Sequence, residues 1–345
     1  MGLPSLSINP DARGAGMGNV GLTTSADAYS LFNNMSKMGF TEHTWGLAAS
    51  YTPWMTALDV RDMSYSALTG YYAFVSEGGM RHALSGSLRY FRVGETLAFS
   101  SGLVTPVTVH PYELSVDLGY ALRFTPQMSV GAALRYGISD YNVSYNGVIS
   151  RAATLLGDLS FSYFRPVSLR GRDVTFSAAV AVNNIGGKLT HDGGKSYLFS
   201  PAVMRIGVGA EIEFSALHRL GLHLESSKFL VPTYPGNGTD EELAAYYAMN
   251  VAEGLFRSFG DAKGGSAEEL KEVAWGIGLE YAYAERLYGR AGFFYQSPEK
   301  GTGSGLTLGA GVKYEMVTLD FSYLAATNPD SPLNNTLRIA VSLDF

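Results

Sequence analysis

The stretch Asn335-Thr336-Leu337-Arg338-Ile339-Ala340-Val341-Ser342-Leu343-Asp344-Phe345 closes the chain in strict alternation of apolar and polar side chains. Successive side chains of a strand point to opposite faces. Leu337, Ile339, Val341, Leu343 and Phe345 therefore share one face, and Arg338, Ala340, Ser342 and Asp344 the other. One face toward lipid, one toward a polar lumen, and a terminal aromatic residue are what the last strand of an outer-membrane β-barrel requires.

The same period of two recurs upstream. Met204, Ile206, Val208, Ala210, Ile212 and Phe214 alternate with Arg205, Gly207, Gly209, Glu211 and Glu213. Leu306, Leu308, Ala310, Val312 and Tyr314 alternate with Thr307, Gly309, Gly311, Lys313 and Glu315. Residues 273–283 and 128–138 repeat the pattern, and further candidates lie near 44–52, 61–74, 82–92, 112–124, 150–164, 172–183, 217–226, 286–297 and 317–325. The count predicts a transmembrane antiparallel barrel of about 14 strands. Tight turns at Thr125-Pro126, Ser215-Ala216, Glu285-Arg286 and Glu315-Met316 alternate with longer loops at 94–111, 139–149, 184–201, 298–303 and 326–334. Short periplasmic turns and long external loops are expected of such a barrel. Trp45, Tyr51, Trp54, Tyr71, Tyr72, Tyr288, Tyr314 and Tyr323 sit near strand ends, where some supply interfacial girdles and others line the lumen.

Composition agrees. The 345 residues are 46% hydrophobic and 16% charged, with 41 glycines, 22 tyrosines and 18 phenylalanines. No run of about 18 apolar residues exists, so a spanning helix is excluded and only a closed barrel could cross a bilayer. A net charge of −6 without clustered Lys and Arg excludes nucleic acid as a partner. The absence of cysteine removes disulfide and thiolate chemistry. Gly2-Leu3-Pro4 shows no basic segment followed by an apolar core, so the numbering is expected to be that of a processed or re-engineered mature form.

Two regions break the strand rhythm. Residues 1–43, rich in Gly, Ser, Asn and Asp, are expected to fold into the lumen as a plug ahead of a barrel at 44–345. Residues 227–271 carry helical spacing and are expected to form an external insertion. Asp240, Glu241 and Glu242 suit a helix start, followed by Leu243, Tyr246, Tyr247, Val251, Leu255, Phe256 and Phe259 at intervals of three and four. Ser266-Ala267-Glu268-Glu269 resembles a capping box opening a second short helix.

No motif points to catalysis or to a cofactor. Gly16-Met17-Gly18-Asn19-Val20-Gly21 satisfies G-x-G-x-x-G but lacks the strand and helix that give this pattern its dinucleotide chemistry, so its glycines are read as packing residues. His43, His82, His110, His191, His218 and His223 show no metal-ligand spacing, and no nucleophile elbow is present. Glu211 and Glu213 with Arg205 read as a charge network in the lumen. The sequence predicts no enzyme, no metal and no cofactor.

The opening Leu6-Ser7-Ile8-Asn9-Pro10-Asp11-Ala12-Arg13-Gly14-Ala15-Gly16-Met17-Gly18, followed by Thr24-Ser25-Ala26-Asp27-Ala28, resembles the N-terminal signature of the PorV family, outer-membrane components of the Bacteroidetes type IX secretion system. Ser258-Phe259-Gly260-Asp261-Ala262-Lys263-Gly264-Gly265, Glu268 to Glu272, Gly278-Leu279-Glu280-Tyr281, Arg290-Ala291-Gly292, Ser322-Tyr323-Leu324 and Pro332 to Arg338 extend the likeness over nearly the whole chain. Two positions depart from it. Phe32-Asn33-Asn34 lacks the Asn-Pro pair often found there, and Lys263 stands where proline is expected.

The resemblance implies a 14-strand barrel like that of the FadL fatty-acid transporters. It also implies a carrier that takes the C-terminal signal domains of cargo from the translocon barrel Sov (SprA) to the PorU sortase complex, which cleaves the signal and joins cargo to lipopolysaccharide. External loops would supply the grip. The candidate contacts are Leu255, Phe256 and Phe259 in the insertion, and Val104, Val107, Val109 and Tyr112 in or beside the 94–111 loop. The main rival is a FadL-like transporter of hydrophobic small molecules, which needs an apolar pocket in a lumen whose readable inward faces are charged. A passive structural barrel is the third reading and predicts no specific partner.

Overall fold

The computed structural model describes residues 1–55, 62–98, 107–145, 148–236 and 238–345. Its strands are β1 (Trp45–Pro53), β2 (Met63–Val75), β3 (Arg81–Val93), β4 (Thr96–Ala98), β5 (Val107–Val109), β6 (Tyr112–Arg123), β7 (Met128–Tyr145) and β8 (Val148–Leu169). They continue as β9 (Arg172–Gly186), β10 (Val203–Ser215), β11 (His218–Phe229), β12 (Val273–Tyr283), β13 (Leu287–Tyr295), β14 (Ser304–Tyr314), β15 (Val317–Ala326) and β16 (Thr336–Asp344). Fourteen of them close into an up-and-down antiparallel barrel, while β4 and β5 form a separate ribbon between β3 and β6.

Closure is made by β1 on β16, with Gly46 opposite Asp344 and Tyr51 opposite Ile339. At its foot the Trp45 and Phe345 rings stack at 3.9 Å, and the Phe345 carbonyl accepts the Thr44 N–H at 2.7 Å. A closed ladder leaves no strand edge unsatisfied, the condition for a backbone surrounded by hydrocarbon. The alternation behaves as read: Leu337, Ile339 and Val341 are exposed on the outer face, and Arg338, Ala340 and Ser342 are buried inside.

One end carries only short connections. There the β8–β9 hairpin turns on Arg170 and Gly171, both left-handed at φ 53° and 77°, the combination that a tight two-residue hairpin demands. The opposite end carries the long connections. Exposed aromatic residues ring both ends, Trp45, Tyr72, Tyr283 and Tyr314 at the first and Tyr51, Trp275, Tyr295 and Tyr323 at the second. Trp54 and Tyr71, by contrast, are buried in the lumen.

The loop expected at 139–149 is mostly strand. β7 runs to Tyr145 and β8 starts at Val148, with Asp140 opposite Arg151 and Ser144 opposite Ile149. The backbone pairing prolongs the hairpin, with a register shift between Asp140 and Ser144.

Most residues from Leu3 to Met38 are buried, and those of the largest cluster pack against the inner face of the wall. The residues ahead of β1 form two short helices, α1 (Ala12–Ala15) and α2 (Ser30–Asn33), and two 3-10 stretches, Pro4–Ser7 and Met35–Phe40. Asp11 caps α1 by accepting the Arg13 and Gly14 N–H groups at 2.8 and 2.9 Å. Tyr29, Phe32, Met35 and Met38 pack on wall residues that are nearly all alanine: Ala48, Ala67, Ala83, Ala121 and Ala340. Small wall side chains leave room for large inner ones. The closest approach is made by glycines, since a Cβ at Gly292 would fall 2.2 Å from the Gly18 nitrogen, and one at Gly18 (φ 70°) would fall 2.6 Å from the Phe293 carbonyl. Part of the G-x-G-x-x-G stretch is thus used to seat backbone against backbone.

Charges tie this inner segment to the wall. Arg13 forks onto Glu280 at 2.8 and 2.9 Å, and Arg290 joins Glu280 at 2.7 Å. Arg205 pairs with Glu225 across β10 and β11, and the same carboxylate accepts the Gly21 and Leu22 N–H groups at 3.0 and 3.1 Å. Glu211, expected beside Arg205, pairs instead with Arg219 at 2.8 Å. Elsewhere in the wall Arg135 bridges Asp117 at 2.7 Å and Asp158 at 2.9 Å.

Candidate partner-binding surface

Between β11 and β12 the chain leaves the long-loop end and builds α3 (Asp240–Ala248), α4 (Val251–Arg257) and α5 (Ser266–Lys271). The capping box sits on α3, where Thr239 accepts the Glu242 N–H at 3.2 Å and Glu242 accepts the Thr239 N–H at 2.9 Å. Ser266 is not a cap. Gly265 holds that position, and the Glu268 carboxylate reaches the Gly264 N–H at 2.6 Å. The apolar stripe expected to run through one helix is interrupted at Met249-Asn250, because Asn250 caps α4 and restarts the helix on a new axis.

The break sends the stripe in two directions. Tyr246 turns inward onto Phe199 and Met249, where burial pushes its phenol up to about 12. Gly254 of α4 seats against the Phe199 ring, where a Cβ would come within 2.6 Å. Lys188 crosses beneath and donates to the Tyr247 and Met249 carbonyls at 2.7 and 2.6 Å, and burial lowers its ammonium. Phe256 and Phe259 face away from all this, 79% and 49% exposed, with Leu255 half-buried behind them.

Ion pairs clamp the second half of the insertion to the rim. Lys228, near the end of β11, reaches Glu269 at 2.9 Å and Glu272 at 2.5 Å. Lys300, from the β13–β14 loop, reaches Glu268 at 2.5 Å and Glu272 at 3.1 Å. The Lys300 hydrogen bond holds the Glu268 carboxyl below its ordinary range. For Glu269, burial pushes upward, but the Lys228 and Ala262 hydrogen bonds outweigh it and the net shift is downward. Leu270, between these clamps, projects outward at 73% exposure. A lone leucine among Glu and Lys was the available signal for it, and sequence reasoning passed over it.

The candidates of the other loop are placed differently. Val104 lies outside the described residues, and Val107 opens the β5 strand. Val109, opposite Thr96 in the ribbon, is buried, so the structure does not bring it to the surface. Tyr112 is half-buried, stacks on Tyr90 at 5.8 Å and donates to Asp140 at 3.4 Å. The large apolar side chains that the insertion leaves exposed include Phe256, Phe259 and Leu270. Among the described residues no group of His, Asp and Glu with the arrangement of a metal site is found.

Solved structures with the same fold include the toluene transporter TbuX of Ralstonia pickettii, at 14% identity over 98% of both chains with a TM-score of 0.53. Another is the toluene transporter TodX of Pseudomonas putida, at 10% identity over 96% of both chains with a TM-score of 0.52. At such identities the likeness is one of fold. No curated protein sequence matches the chain. The sequence model described as type IX secretion system protein PorV matches residues 1–236. With a fourteen-strand barrel carrying lipid-facing alternation, and that match over more than half its length, the chain belongs to the PorV family of outer-membrane type IX secretion system proteins.

Proposed function

We propose that this barrel is a non-enzymatic carrier of the type IX system, gripping the C-terminal domains of secreted cargo and passing them from the Sov/SprA translocon barrel to the PorU sortase complex at the lipopolysaccharide-bearing surface. The observation that carries this reading is Phe256 at 79% exposure on a helix packed against Phe199, in an insertion pinned to the barrel rim by ion pairs. Large exposed aromatics on a rigid support bind at low entropic cost, and they mark contact sites on soluble surfaces. In this reading residues 227–271 lie outside the cell and the inner segment is a plug.

The test is capture from native outer membrane in mild detergent, with the wild-type barrel compared with a Phe256→Glu, Phe259→Glu variant. Co-purification of a giant barrel, a sortase-like protease and cargo with intact C-terminal domains supports the carrier. Its loss in the double variant places the grip on α4. Recovery of the wild-type barrel alone overturns the reading.

A transporter of small apolar molecules is the second reading, favoured by one observation. A cavity of about 670 Å³ opens between the inner segment and the long-loop end, with Trp54, Met63, Phe91 and Val93 on its wall. TbuX and TodX are toluene transporters, and a wild-type barrel purified with bound hydrocarbon alone would favour this second reading.

A further inference from the structure

That cavity contains a guanidinium without a hydrogen-bonded partner. Arg338, early in β16, is only 2% exposed, and its Nε and Nη1 have no hydrogen-bond acceptor. The guanidinium lies 5.8 Å from the centre of the Trp54 ring. Burying a cation without an acceptor is costly, and proteins normally neutralise it with a partner.

The other charges around the cavity are already matched. Arg205 is paired with Glu225, and Lys300 with Glu268 and Glu272. Asp11 is the carboxylate whose charge is felt at Arg338, but its oxygens accept the Arg13 and Gly14 backbone N–H groups and no hydrogen bond joins it to the guanidinium. Among the described residues no ion pair includes Arg338. The Arg338 guanidinium is therefore left with buried donors that no acceptor meets, and an anionic group entering the cavity would meet them.

The walls state the rest of the ligand. Trp54, Tyr65 and Phe91 form an apolar cluster, extended by Ile8, Met63 and Leu333. A guanidinium binds a carboxylate through directed N–H donors, and a volume of about 670 Å³ is that of a small-molecule site. We infer that the Arg338 cavity is a carboxylate-binding site, taking the anionic end of an apolar segment, with the charge on Arg338 and the chain along Trp54 and Phe91.

Either a free aliphatic acid or the carboxyl end of an apolar peptide offers this chemistry. The site does not depend on what α4 binds, because it lies inside the barrel.

Trp54 is the reporter. With Trp45→Phe and Trp275→Phe leaving it as the single tryptophan of the detergent-solubilised full chain, its fluorescence is titrated with octanoate, octanol and inorganic phosphate. A short apolar peptide is added in two forms, free acid and carboxamide. The expected result is a saturable change with octanoate, the free-acid peptide or both, at least tenfold tighter than with the matching alcohol or amide. Phosphate competes weakly. Octanoate alone assigns the site to free acids, the peptide acid alone to chain ends.

Arg338→Gln abolishes the tenfold preference while leaving octanol binding in place, and Arg338→Lys restores part of it. If Arg338→Gln fails to assemble, the acid-against-alcohol comparison on the native arginine decides alone. Equal affinity for acid and neutral partner, no saturable change, phosphate binding as tightly as octanoate, or a preference that survives Arg338→Gln overturns the site.

Discussion

Lys228 and Glu272 meet at 2.5 Å at the joint where β11 departs from the barrel and the insertion returns to begin β12. Glu269 closes on the same ammonium at 2.9 Å, so one lysine ties both the last helix and its exit to the wall. The insertion is in this way anchored at its base, and its anchoring can be tested apart from the barrel.

Lys228→Ala removes these contacts with no change to the lipid-facing surface. Charge-assisted hydrogen bonds contribute about 1–3 kcal/mol. The expected result is faster amide exchange across residues 239–271, with protection in β1 to β3 unchanged; equal protection in the insertion would remove the clamp from the account.

Acidification should loosen the same joint. Glu268 and Glu269 sit below their ordinary value of 4.5, so their contribution is complete above that pH and is lost as the pH falls below it through their folded-state values. Limited proteolysis is expected to leave the insertion intact at neutral pH and to cut it progressively faster below about pH 4.5. A susceptibility that rises toward alkaline pH would contradict the sign.

Phe256→Glu with Phe259→Glu is expected to leave the thermal stability of the barrel within about 0.5 kcal/mol, because exposed side chains lose little on replacement. Retention of partner proteins should nevertheless fall. A large drop in melting temperature would show instead that both rings pack on the insertion itself.

Gly292→Val drives side-chain atoms into the Gly18 backbone, whereas Gly289 in the same strand has nothing within 4 Å of its missing Cβ. The first change is expected to cost about 1–3 kcal/mol by overpacking and to dislodge the inner segment. Gly289→Ala is the matched control. Planar-bilayer conductance measures the difference: Gly292→Val should pass more current than both the native barrel and the control, and equal currents would mean that the inner segment tolerates the intrusion.

The barrel was legible because hydrocarbon enforces alternation residue by residue, as Leu337, Ile339 and Val341 against Arg338, Ala340 and Ser342 show. What depends on contacts distant in sequence was not. Trp54 stands just past the end of β1, and only the finished barrel shows that it turns inward onto Arg338. Arg338 could be placed on the wet face, but its lack of an acceptor emerges only when every neighbouring carboxylate is matched. The insertion misled for a local reason. Asn250 is as good a helix start as any serine, so one stripe of apolar residues became two helices with different exposures. Val109, apolar in a segment read as loop, is buried as part of a short strand paired with β4.

The seam between β1 and β16 sets an order of events. It joins the first and last strands of the barrel, the pairing with the largest loop-closure cost, around an inner segment whose Tyr29, Phe32, Met35 and Met38 pack on the wall that it completes. The inner segment is seated so closely that a Cβ at Gly292 would fall on the Gly18 backbone. Closing the wall around a segment already in place avoids forcing that close fit through a finished ring, so the β1–β16 pairing is expected to form last.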